Sequence, residues 1–212
     1  MKLREDINDF ISTIPNNVKI VAATKYVTPL EMRDLYNVGI NNFGENRVDT
    51  FLEHKSLLKD LNISWHFIGH LQRNKAHLIV NEIECLHSLD SLELAGIIDK
   101  LRNKPLDCFI EVSINEEENK NGIKLEYLYS FIEQVLKYRN INIVGLMMMA
   151  IKDSSKKSLI HQFSSLSKLK TEIEEDFNIK IPYLSMGMSD DYKEAIECGA
   201  THIRLGRILW TI

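Results

Sequence analysis

The chain has 212 residues, 44% of them hydrophobic, with 26 Lys+Arg against 30 Asp+Glu and a formal net charge of -4. A chain of this length buries roughly 70% of its unfolded surface, so its core needs neither a disulfide nor a structural metal, and its weak, dispersed charge excludes nucleic-acid or membrane-surface electrostatics as the basis of function. Cys85, Cys108 and Cys198 form no Cys-x-x-Cys pair, the N-terminus lacks an apolar signal segment, and the longest apolar run, 143–151, is too short to span a bilayer, so a cytoplasmic protein with reduced cysteines is expected.

An amphipathic helix is expected near residues 2–13. The apolar run Val18-Lys-Ile-Val-Ala-Ala-Thr-Lys25 reads as a buried strand over 18–24. Thr28-Pro-Leu-Glu31 then starts a helix, as a capping box with proline at the first helical position. Further strands read at 39–44, 64–69, 83–88, 106–114, 142–149, 180–185 and 200–206. Helical spacing separates them, as at Leu94, Ile98 and Leu101, at Leu125, Leu128, Ile132 and Val135, and at Leu159, Phe163, Leu166 and Ile173. Asp90 with Glu93 resembles a second capping box, and Gly39 and Gly199 stand where helices should end. The polar stretch Glu116–Asn121 reads as a loop. Eight strands alternating with helices and never pausing for a meander predict a single-domain (βα)8 TIM barrel over 1–212, with an extra N-terminal helix; a doubly wound open sheet is the alternative.

The unusual residues fall at the carboxyl ends of these strands: Lys25, Gly44-Glu45-Asn46, Gly69-His70, Asn115, Ser185-Met-Gly-Met-Ser189 and Arg204-Leu-Gly-Arg207. A barrel gathers such ends on one face, where its site is built. Lys25 taken alone reads better as a lysine leaving the sheet into solvent, and only the residues around it favour the other reading; desolvated at a strand end, a lysine favours the neutral amine that attacks carbonyls. Alternation in Thr201–Gly206 puts Ile203 and Leu205 against the helices and points His202 and Arg204 inward. In the same way Cys108, Ile110, Val112 and Ile114 leave Glu111 and Ser113 inward, so a buried Arg204–Glu111 ion pair is one expectation. The small-residue turns at 185–189 and 206–207 suit phosphate. An imine-forming lysine, a phosphate cup and an inward arginine together describe a pyridoxal-phosphate (PLP) pocket, in which the arginine disfavours protonation of the ring nitrogen and weakens the ring as an electron sink.

These residues resemble the pyridoxal-phosphate homeostasis protein family, small PLP-binding proteins with an alanine-racemase-like barrel. The likeness rests on Ala22-Ala-Thr-Lys25, Phe43-Gly-Glu-Asn46, Trp65-His-Phe-Ile-Gly-His-Leu-Gln-Arg-Asn-Lys75, Asn119-Lys-Asn-Gly-Ile123, Gly145-Leu-Met and Leu184-Ser-Met-Gly-Met-Ser-Asp-Asp191. It implies that Lys25 carries PLP as a Schiff base, that Ser189 and the Gly206 turn hold phosphate, and that Arg204 faces the ring nitrogen. Asn46, Ser185 and Met188 complete the expected cofactor shell. Arg207 stands where the family usually has a small hydroxyl residue, and either meets the phosphate or swings outward. Lys120 occupies the family's lysine position and is a candidate second acceptor for PLP in transit.

The resemblance implies a PLP carrier acting in storage, delivery or buffering, with no catalytic residues, no metal, PLP as cofactor, apo PLP-dependent enzymes as partners, and a monomeric state. An amino-acid racemase and a lysine Schiff-base aldolase are the competing readings. His66 and His70, four apart on a strand end, are expected to be structural rather than metal ligands, and Met147-Met-Met149 to be strand core.

Overall fold

The computed structural model describes residues 1–114 and 121–211; Asn115, Lys120 and most of the stretch read as a polar loop lie outside the described residues. Eight parallel strands form the centre: β1 Lys19–Ala23, β2 Asn42–Glu45, β3 Ser64–Phe67, β4 Cys85–Leu89, β5 Leu106–Ser113, β6 Ile141–Met147, β7 Tyr183–Met188 and β8 His202–Leu205. Their order is β4-β3-β2-β1-β8-β7-β6-β5, and pairing of β4 with β5 closes the cylinder. The predicted barrel is therefore the observed fold. Helices α1 Ile7–Ser12, α2 Pro29–Asn37, α3 Val48–Leu57, α4 Ala76–Ile79, α5 Leu92–Leu101, α6 Leu125–Val135, α7 Lys156–Phe177 and α8 Tyr192–Glu197 pack around it.

Alternation sorts the side chains into two layers. Trp65, Phe67, Cys108, Ile110, Ile203 and Leu205 join the main core between strands and helices. Cys85, Phe109, Val144 and Met147 form a separate cluster inside the barrel. Met147 and Met148 are buried as expected, whereas Met149 is exposed.

Local chemistry explains the helix starts. The Thr28 side chain accepts from the Glu31 N–H while Glu31 accepts from the Thr28 N–H at 2.7 Å, a complete capping box with Pro29 at the first turn of α2. The second expected box is corrected by one residue: Ser91 caps α5 by accepting from the Leu94 N–H, and Asp90 instead meets His70 Nδ1 at 2.9 Å. The N-terminal helix is also shorter than expected. Lys2–Leu3 is extended and pairs antiparallel with Trp210–Thr211, so that the two ends of the described chain form a small ribbon. After β8 comes only a single 3-10 turn, Arg207–Leu209, and α1 packs beside α8 through an edge-to-face contact of Phe10 with Tyr192, centroids 5.9 Å apart.

Strand β7 runs three residues further than the alternation suggested, so the expected turn at 185–189 is mostly strand. Gly187 lies in it with φ +90, and a Cβ there would sit 2.6 Å from Ala195 Cβ, which lets α8 press onto the strand end.

Candidate cofactor site

Lys25 lies two residues beyond β1, in a turn closed by the Val27 N–H to the Thr24 carbonyl at 2.9 Å. The expected desolvation is corrected: Thr24 is fully buried, but Lys25 is exposed, its Nζ 4.7 Å above the Tyr26 ring. The chain peels off the sheet one residue before the lysine, which leaves the amine accessible at the barrel rim.

Beneath it is a buried polar knot. Thr24 Oγ1 donates to Glu45 Oε1, which also meets His54 Nδ1 at 2.8 Å. Glu45 Oε2 and Asn46 Oδ1 are buried with no partner among the described residues, a cost proteins seldom leave unanswered outside a functional site. The Asn46 backbone packs so closely on Gly69 that a Cβ there would lie 2.4 Å from the Asn46 carbonyl oxygen. Asn46, His70, Gln72 and Lys75 line a cavity of about 290 Å³ on this side of the rim.

Across β1, Ser189 Oγ accepts from the backbone N–H groups of Gly206 at 3.2 Å and Ile208 at 3.4 Å. Two turns thus converge at the opening of a 3-10 helix, where N–H dipoles favour an anion. Apart from its chain neighbours, the described atoms nearest to the position of a Cβ on Gly206 belong to Ala23 of β1, at 3.8 Å. The open face of this cradle therefore adjoins the strand that leads to Lys25. Arg207 takes the outward alternative: it is exposed and ion-paired with exposed Asp190. Met188 is exposed at the rim.

Arg204 points into the barrel, as its parity predicts. Nη1 donates to the Ser185 carbonyl at 2.9 Å and to Ser185 Oγ at 2.6 Å, and Nη2 donates to the Met148 carbonyl at 2.9 Å. Burial brings its pKa down to about 10, opposed by Glu111 and Asp191. Burial, aided by Asp90, pushes the Glu111 carboxyl up to about 7 against the pull of Arg204 and His70. The expected Arg204–Glu111 ion pair is absent among the described residues; the guanidinium is held by carbonyl and hydroxyl oxygens instead. Ser185 is not on the rim but fully buried under Arg204.

Sequence reasoning missed His87. It is fully buried on β4, with Nδ1 2.8 Å from Ser185 Oγ and Nε2 2.9 Å from His66 Nδ1. His87 and His202 flank Phe109 inside the barrel, with His87 and Phe109 centroids 4.5 Å apart, and His66 packs against both of these histidines. The available signal was parity: each of these histidines shares the inward face of its strand. His70 is exposed on Asp90, so the two histidines four apart do not meet, as expected.

The family described as "Alanine racemase, N-terminal domain" matches residues 2–212. A pyridoxal phosphate homeostasis protein of Aquifex aeolicus is 39% identical over 198 residues, covering 92% of this chain and 87% of that protein. One from Synechocystis is 36% identical over 207 residues, covering 96% and 95%. Among solved structures, PipY of Synechococcus elongatus with PLP bound superposes with TM-score 0.92 at 28% identity, covering 98% of this chain and 99% of that one. Alanine racemase of Corynebacterium glutamicum shares the fold at TM-score 0.76 and 10% identity, over 97% of this chain and 59% of that one. With the fold, the motifs and the relatives in agreement, the chain belongs to the alanine racemase N-terminal domain family and, within it, to the pyridoxal phosphate homeostasis proteins.

Proposed function

We propose that this chain binds PLP as a Schiff base on Lys25 and acts in intracellular PLP homeostasis, by storage, delivery or buffering, without substantial turnover. The residues fit the cofactor in kind. Lys25 offers an accessible primary amine, the Gly206 and Ile208 N–H groups with Ser189 offer a phosphate cradle beside the same strand, and Asn46 Oδ1 is a buried acceptor without a donor. PLP, when bound, supplies an aldehyde for the amine and a ring that can withdraw electrons. Arg204 is the observation that carries the non-catalytic reading. With the ring nitrogen turned toward it, this fixed cation would disfavour protonation there, where strong electron sinks keep a carboxylate. The relatives' name and the PLP in PipY support the same assignment.

The test is a visible spectrum of the purified protein, borohydride reduction and peptide mapping. Expected are a yellow protein, a reduced adduct on Lys25, and loss of both in Lys25→Ala with the fold retained. A reduced adduct on another lysine overturns the site. Rapid exchange of the alanine Cα proton in deuterated buffer overturns the carrier reading in favour of a racemase; fixation of a sugar phosphate by a colourless protein favours an aldolase. Transfer of PLP to an apo PLP-dependent enzyme is the expected partner reaction.

A further inference from the structure

Arg204 is a buried cation with no carboxylate bonded to it among the described residues, and Ser185 Oγ is its side-chain partner. The hydrogen bonds beyond Ser185 run in a line: Ser185 Oγ to His87 Nδ1 at 2.8 Å, His87 Nε2 to His66 Nδ1 at 2.9 Å, and His66 Nε2 to Asn42 Oδ1 at 3.2 Å. The direction of the line is determined from its upper end. A guanidinium only donates, so Ser185 Oγ accepts from Arg204. Its own proton must then go to His87 Nδ1, since a proton from His87 would leave the buried hydroxyl hydrogen without an acceptor. A neutral His87 therefore carries its proton on Nε2 and donates to His66 Nδ1. His66 in turn carries its proton on Nε2 and donates to Asn42 Oδ1. The lower end agrees independently: the Asn42 amide nitrogen donates to Asn41 Oδ1 at 3.0 Å, which leaves Asn42 Oδ1 facing His66 as an acceptor.

We propose that His87 and His66 are positioning residues, links of a one-way hydrogen-bond chain Arg204→Ser185→His87→His66→Asn42 that fixes the guanidinium at the floor of the site. The inference rests on the PLP reading for its purpose, though not for its geometry. Each link turns an acceptor lone pair toward Arg204, so aligned neutral dipoles offset a charge that no carboxylate contacts, and the bonds polarise one another. Protonating His66 would set its Nδ1–H against the His87 Nε2–H, and protonating His87 would set its Nδ1–H against the Ser185 hydroxyl hydrogen; either places a second cation near the first. Burial, Lys19, His202 and Arg204 all oppose that protonation at His87, and burial with Lys19 opposes it at His66, brought down to about 3. The neighbouring Cys85 thiol, pushed well up by burial, adds no negative charge to reverse it. His66, Cys85 and His87 bring possible metal-ligand atoms within 4.8 Å of one another. The chain, however, already engages all four imidazole nitrogens, so a metal would have to break it.

The experiment begins on the PLP-free protein, with long-range nitrogen–proton NMR correlations of the imidazoles. Expected are Nε2–H tautomers at both His66 and His87, unchanged between about pH 5 and 8. A Nδ1–H tautomer at His87, ordinary titration of either ring, or displacement of both signals by stoichiometric zinc would overturn the chain. The second arm compares His87→Leu with His87→Gln, whose amide can accept from Ser185 and donate to His66. Loss of the acceptor for the buried Ser185 hydroxyl should speed exchange of the Arg204 guanidinium protons by about tenfold or more in His87→Leu, with recovery in His87→Gln. In the PLP-loaded protein the visible band and its pH dependence should move in the leucine variant alone. Equal exchange rates in both variants and the parent would overturn the positioning role. An intact tautomer pattern in a protein that binds no PLP would uphold the chain while removing the cofactor reading.

Discussion

The floor of the barrel and its rim are built on opposite principles. On the floor, Arg204, Ser185, His87 and Phe109 are all nearly or wholly buried, and both ring nitrogens of His66 and of His87 have partners. At the rim, Lys25, Met188 and Arg207 are exposed, and two polar atoms of Glu45 and Asn46 have no partner among the described residues. Rigidity below would set the electrostatics that a bound ring meets; openness above would let an aldehyde reach the Lys25 amine and leave it. A protein that held a reactive cofactor without using it, as proposed for this chain, would need both.

Substitutions on the two levels should separate accordingly. The largest expected effect on stability is Arg204→Met, which strips donors from the Ser185 carbonyl, Ser185 Oγ and the Met148 carbonyl. It should cost about 2–4 kcal/mol in denaturant unfolding; an unchanged midpoint would show that the floor is not rigid in the sense described. Glu111→Gln is next, and it acts through pH. The Glu111 carboxyl is raised in the folded protein, from 4.5 to about 7, so the folded state binds its proton more tightly than the unfolded chain. Its contribution is therefore most favourable below about pH 4.5, falls as pH rises toward 7, and is flat above, a difference on the order of 2–3 kcal/mol. Thermal scans of parent and Glu111→Gln at both ends of that window should show the gap open at high pH in favour of the variant. A gap of the opposite sign would mean that the carboxylate is stabilised by a partner. Arg207→Ser should do least: removing an exposed pair with Asp190 should leave the thermal midpoint where it is. If PLP affinity falls in that variant, Arg207 turns inward when phosphate arrives.

Most of the architecture was legible in the sequence because alternation of apolar segments is a strong, local signal. All eight strands were found, and the parity of Arg204 and Glu111 followed from their apolar neighbours. What escaped depends on contacts between distant residues. The ribbon joining Lys2–Leu3 to Trp210–Thr211 has no pattern within two residues. Asp90 lost its capping role to Ser91 because His70, twenty residues earlier, takes its carboxylate. The exposure of Lys25 turns on where the chain leaves the sheet, which an apolar run ending in Thr-Lys does not mark. His87 was hidden for another reason. An apolar strand such as Cys85–Leu89 tolerates one imidazole without losing its periodicity, and only superposing the inward faces of β3, β4 and β8 brings the histidines together.

The hydroxyl of Ser189 stitches the end of β7 to the opening of the last 3-10 turn through two backbone N–H groups. Those amides are consequently aimed and ordered by folding itself, before any guest is present. A phosphate entering there exchanges one oxygen acceptor for another rather than closing a loose loop. Its grip and its release would then be quick, low-reorganisation events, which would suit the proposed role of a vessel emptied as readily as filled.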